Sequence, residues 1–231
     1  MKKILVTGGN GRFANELKKI KTKFQFLYLN KMELDIIDFK SVVKAIRKNK
    51  PKAVLHLAGL SRPMDVHNKD INKSIDLNIV GTTNVVKACS MFKTKLIYFS
   101  TSYIYPGIKG NYSEEDSLLP WNNYGWSKLG GECAVQMYKN SLILRVCMTQ
   151  KPFVHKEAYA NVKSNFIYHE ELAKIFLKLI DKKGVYNIGG KTQTIFKFAK
   201  KNNNNIRKIY SKGEFPLNQN MNLNKLYKVL K

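Results

Sequence analysis

The chain has 231 residues, 44% of them hydrophobic, which suits one well-cored domain with a small appended lobe. No apolar run reaches the ~18–20 residues of a membrane span, and Gly8 and Gly9 interrupt Ile4-Leu5-Val6 too early for a secretion signal. The formal charge of +25 divides into +13 over residues 1–147 and +12 over 148–231, so a solvated lysine-rich surface is expected rather than a nucleic-acid face.

Strand-like and helix-like segments alternate from the start. Lys3–Thr7 is a short apolar run ending in glycines and predicts a first strand. Gly11–Ile20 carries Phe13, Leu17 and Ile20 at helical spacing. A second strand follows at Phe24–Leu29. A second helix spans Asp38–Lys48, with Asp38 as its N-cap. Ala53–Leu57 is the third strand, Ile71–Phe92 a long helix and Lys95–Ser100 the fourth strand. Tyr124–Tyr138 predicts a helix, Leu142–Val146 a fifth strand, Glu170–Asp181 a helix and Gly184–Ile188 a last strand. This alternation implies an α/β fold, a Rossmann-like doubly wound parallel sheet covered by helices on both faces. The long segment Tyr105–Trp121 reads as a functional loop. Residues 148–168 and 191–231 lose periodicity. The expected division is therefore 1–147 as a dinucleotide-binding domain and 148–231 as a reduced substrate lobe, with 169–190 returning to the sheet.

Three cysteines, Cys89, Cys133 and Cys147, are an odd number at wide spacing with no C-x-x-C, so neither a disulfide framework nor a metal site is expected. Reduced thiols and the missing signal point to the cytoplasm.

Thr7-Gly8-Gly9-Asn10-Gly11-Arg12-Phe13-Ala14 joins the first strand to the first helix. Glycines there let a pyrophosphate approach the main chain at a helix start. Gly8, Gly11, Arg12 and Phe13 are the candidate cofactor contacts. The second strand ends Leu29-Asn30-Lys31 with no acid before Glu33, whereas an NAD site usually has a carboxylate there. With Asn30 and Lys31 at that position, and Arg12 able to reach a 2′-phosphate, NADP(H) is the expected cofactor and NAD(H) the lesser one.

Tyr124 and Lys128 stand at i and i+4 on one helix face. A phenol titrates near ~10, and an adjacent ammonium moves it toward working pH, so the pair suits proton transfer to a carbonyl oxygen as hydride arrives at carbon. Ser100-Thr101-Ser102 ends the fourth strand, where open α/β sheets bind ligands, and one of these hydroxyls can orient the tyrosine and the carbonyl. His56 reads as structural, and His169, before Glu170 and Glu171 at a helix start, is given no catalytic role. Lys151, His155, Lys163, Arg207 and Lys208 are basic residues that could meet a diphosphate, with nothing to single one out.

The ordered set T-G-x-x-G, Leu34-Asp35-Ile36, His56-Leu57-Ala58-Gly59, Asn78-Ile79-Val80-Gly81-Thr82, Phe99-Ser-Thr-Ser-Tyr-Ile-Tyr-Pro-Gly107 and Tyr124-Gly-x-Ser-Lys128 resembles the extended short-chain dehydrogenases/reductases. Within them the chain looks closest to the dTDP-4-dehydrorhamnose reductase-like deoxysugar reductases. The resemblance implies Thr101 as the hydroxyl, Tyr124 as general acid, and Lys128 as tyrosine partner and ribose contact. It also implies Asp35 and Ile36 beside the adenine, Ala58 and Gly59 along the cofactor path, and Asn78 supporting the site. The family's dehydratases carry an Asp-Glu pair after the threonine. Ser102-Tyr103 stand here instead, which disfavours water elimination. The expected activity is NADPH-dependent reduction of a keto group on a nucleotide-diphosphate sugar. A nucleotide-sugar epimerase with tightly bound NAD(P) and a non-enzymatic NADP-binding regulator are the alternatives. The resemblance further implies a homodimer through the Tyr124 helix. The segment after Arg145 is shorter than relatives carry, so the substrate lobe is expected to be small.

Overall fold

A computed structural model describes residues 1–231. Its centre is a six-stranded, wholly parallel sheet. The strands are β1 (Lys2–Thr7), β2 (Phe24–Leu29), β3 (Ala53–His56), β4 (Lys95–Thr101), β5 (Ser141–Val146) and a last strand at Gly184–Ile188. Their spatial order is last strand, β5, β4, β3, β1, β2. The chain reverses direction across the sheet between β1 and β3, and open α/β sheets bind ligands in the crevice above such a point.

Helices α1 (Arg12–Lys18), α2 (Phe39–Asn49), α3 (Val66–Lys69), α4 (Ile71–Ile75), α5 (Gly81–Met91), α6 (Asn123–Gln136) and α7 (His169–Leu179) connect the strands. Alternate strand residues serve opposite faces. Ile4, Val6, Leu55, Ile97 and Leu144 pack with Phe13, Leu17 and Phe176 of α1 and α7. Leu5, Val54, Leu96, Tyr98 and Ile143 pack with Val42, Ile46, Val85 and Val135 of α2, α5 and α6. Burial on both faces explains why the strands are almost uninterrupted apolar runs. The Asp38 side chain accepts from Lys40 N at 2.9 Å, as its N-cap reading requires.

The long helix expected over Ile71–Phe92 is present as α4, a π-turn at Asp76–Val80 and α5 in unbroken succession, preceded by the short α3. The π-turn holds Asn78, which is buried and faces the neighbouring loop; such insertions accompany side chains that must be turned inward. The aperiodic segments 148–168 and 191–231 build a small lobe from three two-stranded pairs: β6 (Met148–Thr149) with β9 (Ile167–Tyr168), β7 (Glu157–Tyr159) with β12 (Arg207–Ile209), and β8 (Lys163–Ser164) with β11 (Gln193–Thr194). The last sheet strand is β10. Helix α8 (Ile195–Lys200) closes a lobe core of Phe153, Val162, Tyr168, Ile195, Phe198 and Ile206. The terminal α9 (Asn224–Leu230) lies against β10 and α7 and places Leu226 in the main core, so the chain end returns to the sheet as well.

The Tyr105–Trp121 loop is ordered by packing. The Tyr105 and Tyr112 rings stack at 5.0 Å, and Tyr105 Oη donates to Asn187 Oδ1 at 2.8 Å and accepts from Arg145 Nη1 at 2.7 Å.

Candidate active site

The carboxyl ends of β1 and β3 are tied together. Thr7 Oγ1 accepts from Leu57 N and Ala58 N at 3.2 and 3.1 Å and lies 2.8 Å from His56 Nδ1. Its one proton then goes to Nδ1, so Nε2 carries the imidazole proton and donates to Thr82 Oγ1 at 3.1 Å. Burial, with Lys128 nearby, pulls the His56 pKa down to about 3. His56 is neutral and structural, as its place in a strand suggested.

Above this tie is the glycine turn. Gly8 has φ +67°, and a Cβ there would lie 2.8 Å from Ala58 Cα. Only glycine lets the turn pass this close to the β3 loop. Gly11 is the N-cap of α1, and no side chain caps that first turn. A turn without a Cβ beside uncapped amides suits a dinucleotide's diphosphate.

Asn122 opens α6 by accepting from Gly125 N at 2.7 Å. Ser127 Oγ donates to Tyr124 O at 2.8 Å and accepts from Asn78 Nδ2 at 2.8 Å. Asn78 Nδ2 also donates to Leu60 O, and Asn78 Oδ1 accepts from Leu60 N at 2.7 Å, so one side chain clamps the β3 loop to α6. Burial raises the Tyr124 phenol above its usual value. A hydrogen bond with Thr101, then the charges of Arg62 and Arg12, work in the opposite direction. The two arginines are the neighbouring cations that act on the phenol. The Lys128 ammonium lies 4.2 Å from the centre of the Tyr98 ring. Burial lowers the Lys128 pKa to about 7, with Glu132 partly offsetting it.

These groups share one cavity of about 790 Å³ that runs from the glycine turn to the lobe. Gly11, Arg12, Phe13, Ala58, Gly59, Asn78, Thr101, Tyr124 and Lys128 line it, so nine residues marked by sequence meet there. Gly8 stands behind the lining. Asn30, Lys31, Asp35 and Ile36 are not among its lining residues: Asn30 Oδ1 caps the turn after β2 by accepting from Met32 N at 2.8 Å, Lys31 pairs with Asp35 at 4.0 Å, and Ile36 is buried in the α2–α5 core. Arg12 Nη2 donates to Ser61 Oγ at 3.0 Å and makes no hydrogen bond to Asn30 or Lys31. Between Ser100, Thr101 and Ser102, the hydroxyl beside the phenol is that of Thr101.

Several lining residues carry no local signal of a role in the sequence, Arg62, Tyr103, Thr149, Phe153 and His169 among them. The Oγ atoms of Ser100 and Ser102, Thr149 Oγ1 and His169 Nδ1 are buried without a hydrogen-bond partner. Leaving such groups unpaired costs roughly 1–3 kcal/mol each, so the cavity wall is built to meet polar atoms. No Asp or Glu lines the cavity.

A family model described as "RmlD substrate binding domain" matches residues 1–167. The chain belongs to this family. The dTDP-4-dehydrorhamnose reductase of Aggregatibacter actinomycetemcomitans is 28% identical over 154 residues, 64% of this chain and 52% of that protein. The methionine adenosyltransferase 2 subunit beta of Rattus norvegicus is 33% identical over 103 residues, 45% of this chain and 30% of that one. The matched regions thus take in about half, or less, of these curated relatives. The fold of this RmlD-family chain is that of the dTDP-4-dehydrorhamnose reductase of Bacillus anthracis solved in complex with NADP, with TM-score 0.87 and 22% identity over 98% of this chain and 91% of that one. The UDP-glucose 4-epimerase of Thermus thermophilus, solved with NAD, superposes with TM-score 0.76 and 18% identity over 98% and 92%.

Proposed function

We propose that the protein is a cytoplasmic NADPH-dependent reductase of a keto group on a nucleotide-linked deoxysugar. The observation that carries this reading is that Thr101, Tyr124 and Lys128 line the same cavity as the glycine turn. The A. actinomycetemcomitans and B. anthracis proteins, by name a reductase of a dTDP-linked keto sugar and, in the second, one that holds NADP, support the substrate and cofactor class.

The cofactor, when bound, supplies the hydride. The chain's own groups do the rest. The open turn at Gly8 to Gly11 receives the diphosphate, and Lys128 reaches the ribose. Thr101 and Tyr124 hold the substrate's carbonyl oxygen, and the Tyr124 hydroxyl delivers the proton that the new alkoxide needs. Burial keeps that phenol protonated through neutral pH, which suits an acid in the reducing direction. Arg12, directed to Ser61, lends no direct contact to the 2′-phosphate reading. NADP(H) preference therefore rests on the absence of an acid at Asn30 and Lys31, and on the B. anthracis neighbour, with NAD(H) as a poorer substitute.

The test is NADPH oxidation followed at 340 nm with a dTDP-linked 4-keto-6-deoxysugar. Turnover that needs added NADPH and is lost in Tyr124→Phe supports the reading. Interconversion of sugar epimers without added reductant would replace it by the epimerase. A second reading, a cofactor-binding regulatory subunit, draws on the rat relative, whose name makes it a subunit of another enzyme. The complete Thr101–Tyr124–Lys128 group counts against it.

A further inference from the structure

Arg62 is on the loop that follows β3 and lines the cavity with Tyr103, Tyr124 and His155. This loop is held on both sides, by Asn78 through Leu60 and by Arg12 through Ser61. The Arg62 side chain is half-buried. Its guanidinium has five N–H donors, yet it makes no hydrogen bond and no ion pair within the chain. The other basic side chains of the lining include Arg12 and Lys128, and no carboxylate lines the cavity beside them. A partly desolvated cation left unpaired on a fixed loop is poised for an anion that arrives with a ligand, and a guanidinium fork matches phosphate oxygens bidentately.

We propose that Arg62, with His155 facing it from the lobe, is the receptor for a phosphate group of the substrate's diphosphate, separate from the glycine turn that serves the cofactor. This deepens the reductase reading and rests on it. The substrate side is favoured because the surroundings of Arg62 join Tyr124 of α6 to the lobe, which is where a ketone must sit to meet the acid. The charge of Arg62 is felt by Tyr103, Tyr124, His155 and His169. Arg12 is the other cation acting on Tyr124 and His169. An anion seated on Arg62 would screen it from the phenol and so favour protonated Tyr124 when substrate is present.

Calorimetric titrations of the whole chain with thymidine diphosphate and, separately, with NADP⁺ test this. Arg62→Gln should weaken thymidine diphosphate by about tenfold or more, the effect of losing charge-assisted hydrogen bonds, while NADP⁺ changes less than about twofold. Arg62→Lys should recover part of the loss, because the charge returns without the fork. In the parent, thymidine diphosphate should also move the Tyr124 titration, read as the ultraviolet phenolate signal missing from Tyr124→Phe, to higher pH. Unchanged thymidine diphosphate affinity in Arg62→Gln overturns the inference. An equal loss for both ligands assigns Arg62 to the cofactor and overturns it too. A parent that binds NADP⁺ but not thymidine diphosphate sinks the inference and leaves a dinucleotide-binding protein. A parent that binds neither removes the reductase reading itself.

Discussion

The Lys128 ammonium rests 4.2 Å from the centre of the Tyr98 ring, and Tyr98 Oη donates to the Lys128 carbonyl oxygen at 3.1 Å. A cation over a ring face is attracted by the ring quadrupole, but here the attraction does not offset removal from water, and the Lys128 pKa falls to about 7. A lysine whose folded value lies below its unfolded value of ~10.4 binds its proton less well in the folded state. Its burden on stability is full below about pH 7, shrinks as pH rises toward the unfolded value, and is gone above it. Lys128→Met should therefore melt above the parent near pH 6, with the difference closing by pH 10. Melting curves of both proteins across that range check it; a difference that does not depend on pH would mean that Lys128 is not desolvated.

For Tyr124 the opposite sign holds. Burial raises the phenol, so the acid form persists through neutrality and reduction should fall only on the alkaline side. Thr101→Val removes a hydrogen bond that favours phenolate and should move the alkaline limb of kcat/KM to higher pH. Tyr124→Phe should lower kcat by about 10²–10⁴, the usual range for losing a general acid, with NADPH affinity kept. A pH–rate profile of the three proteins decides between these outcomes and a merely structural tyrosine.

The parts of this site that were legible in the sequence are those whose chemistry depends on local spacing. Tyr124 and Lys128 at i and i+4 must share a helix face, and Gly8 to Gly11 between a strand and a helix must form an open turn, whatever surrounds them. The strands were legible because both faces of the sheet are buried, so apolar runs mark them. Arg62 was hidden because its importance comes from what it fails to contact, and an unpaired guanidinium cannot be seen without coordinates. Its position did offer a signal, since it follows the carboxyl end of a strand beside the point where the sheet order reverses. The lobe strands, two or three residues each, are too short to show a period. The π-turn is set by Asn78 reaching Leu60 and Ser127, contacts separated by 18 and 49 positions in sequence.

A second buried charge carries a stability prediction. Glu132 Oε1 accepts from Arg145 Nε and Nη2 at 3.1 and 2.8 Å, with side chains 0% and 3% exposed. Arg145 continues to Tyr105 and to the carbonyl oxygen of Glu114, and so ties the long loop to β5. Removing one partner leaves the other charge buried and unpaired, which costs about 3–5 kcal/mol. Glu132→Ala should lose stability of that order in urea unfolding. Replacing Glu132 and Arg145 together by methionine should recover part of it, and a double variant that is the sum of the singles would show that the pair is not coupled.

Gly8 and Gly184 separate backbone strain from close approach. Both have positive φ, +67° and +86°. A Cβ on Gly184 meets nothing within 4 Å, so Gly184→Ala should cost only the left-handed strain, about 1–2 kcal/mol. A Cβ on Gly8 meets backbone atoms of Ala58 at 2.8 Å, and neither the β1 turn nor the β3 loop can yield without disturbing the Thr7–His56 tie. Gly8→Ala should therefore destabilise more than Gly184→Ala and also weaken NADPH binding, which Gly184→Ala leaves unchanged. Thermal melts of the two variants with and without NADPH give both quantities at once. Equal destabilisation with equal cofactor shifts would mean that the turn has room to spare and that its glycines are not what admits the dinucleotide.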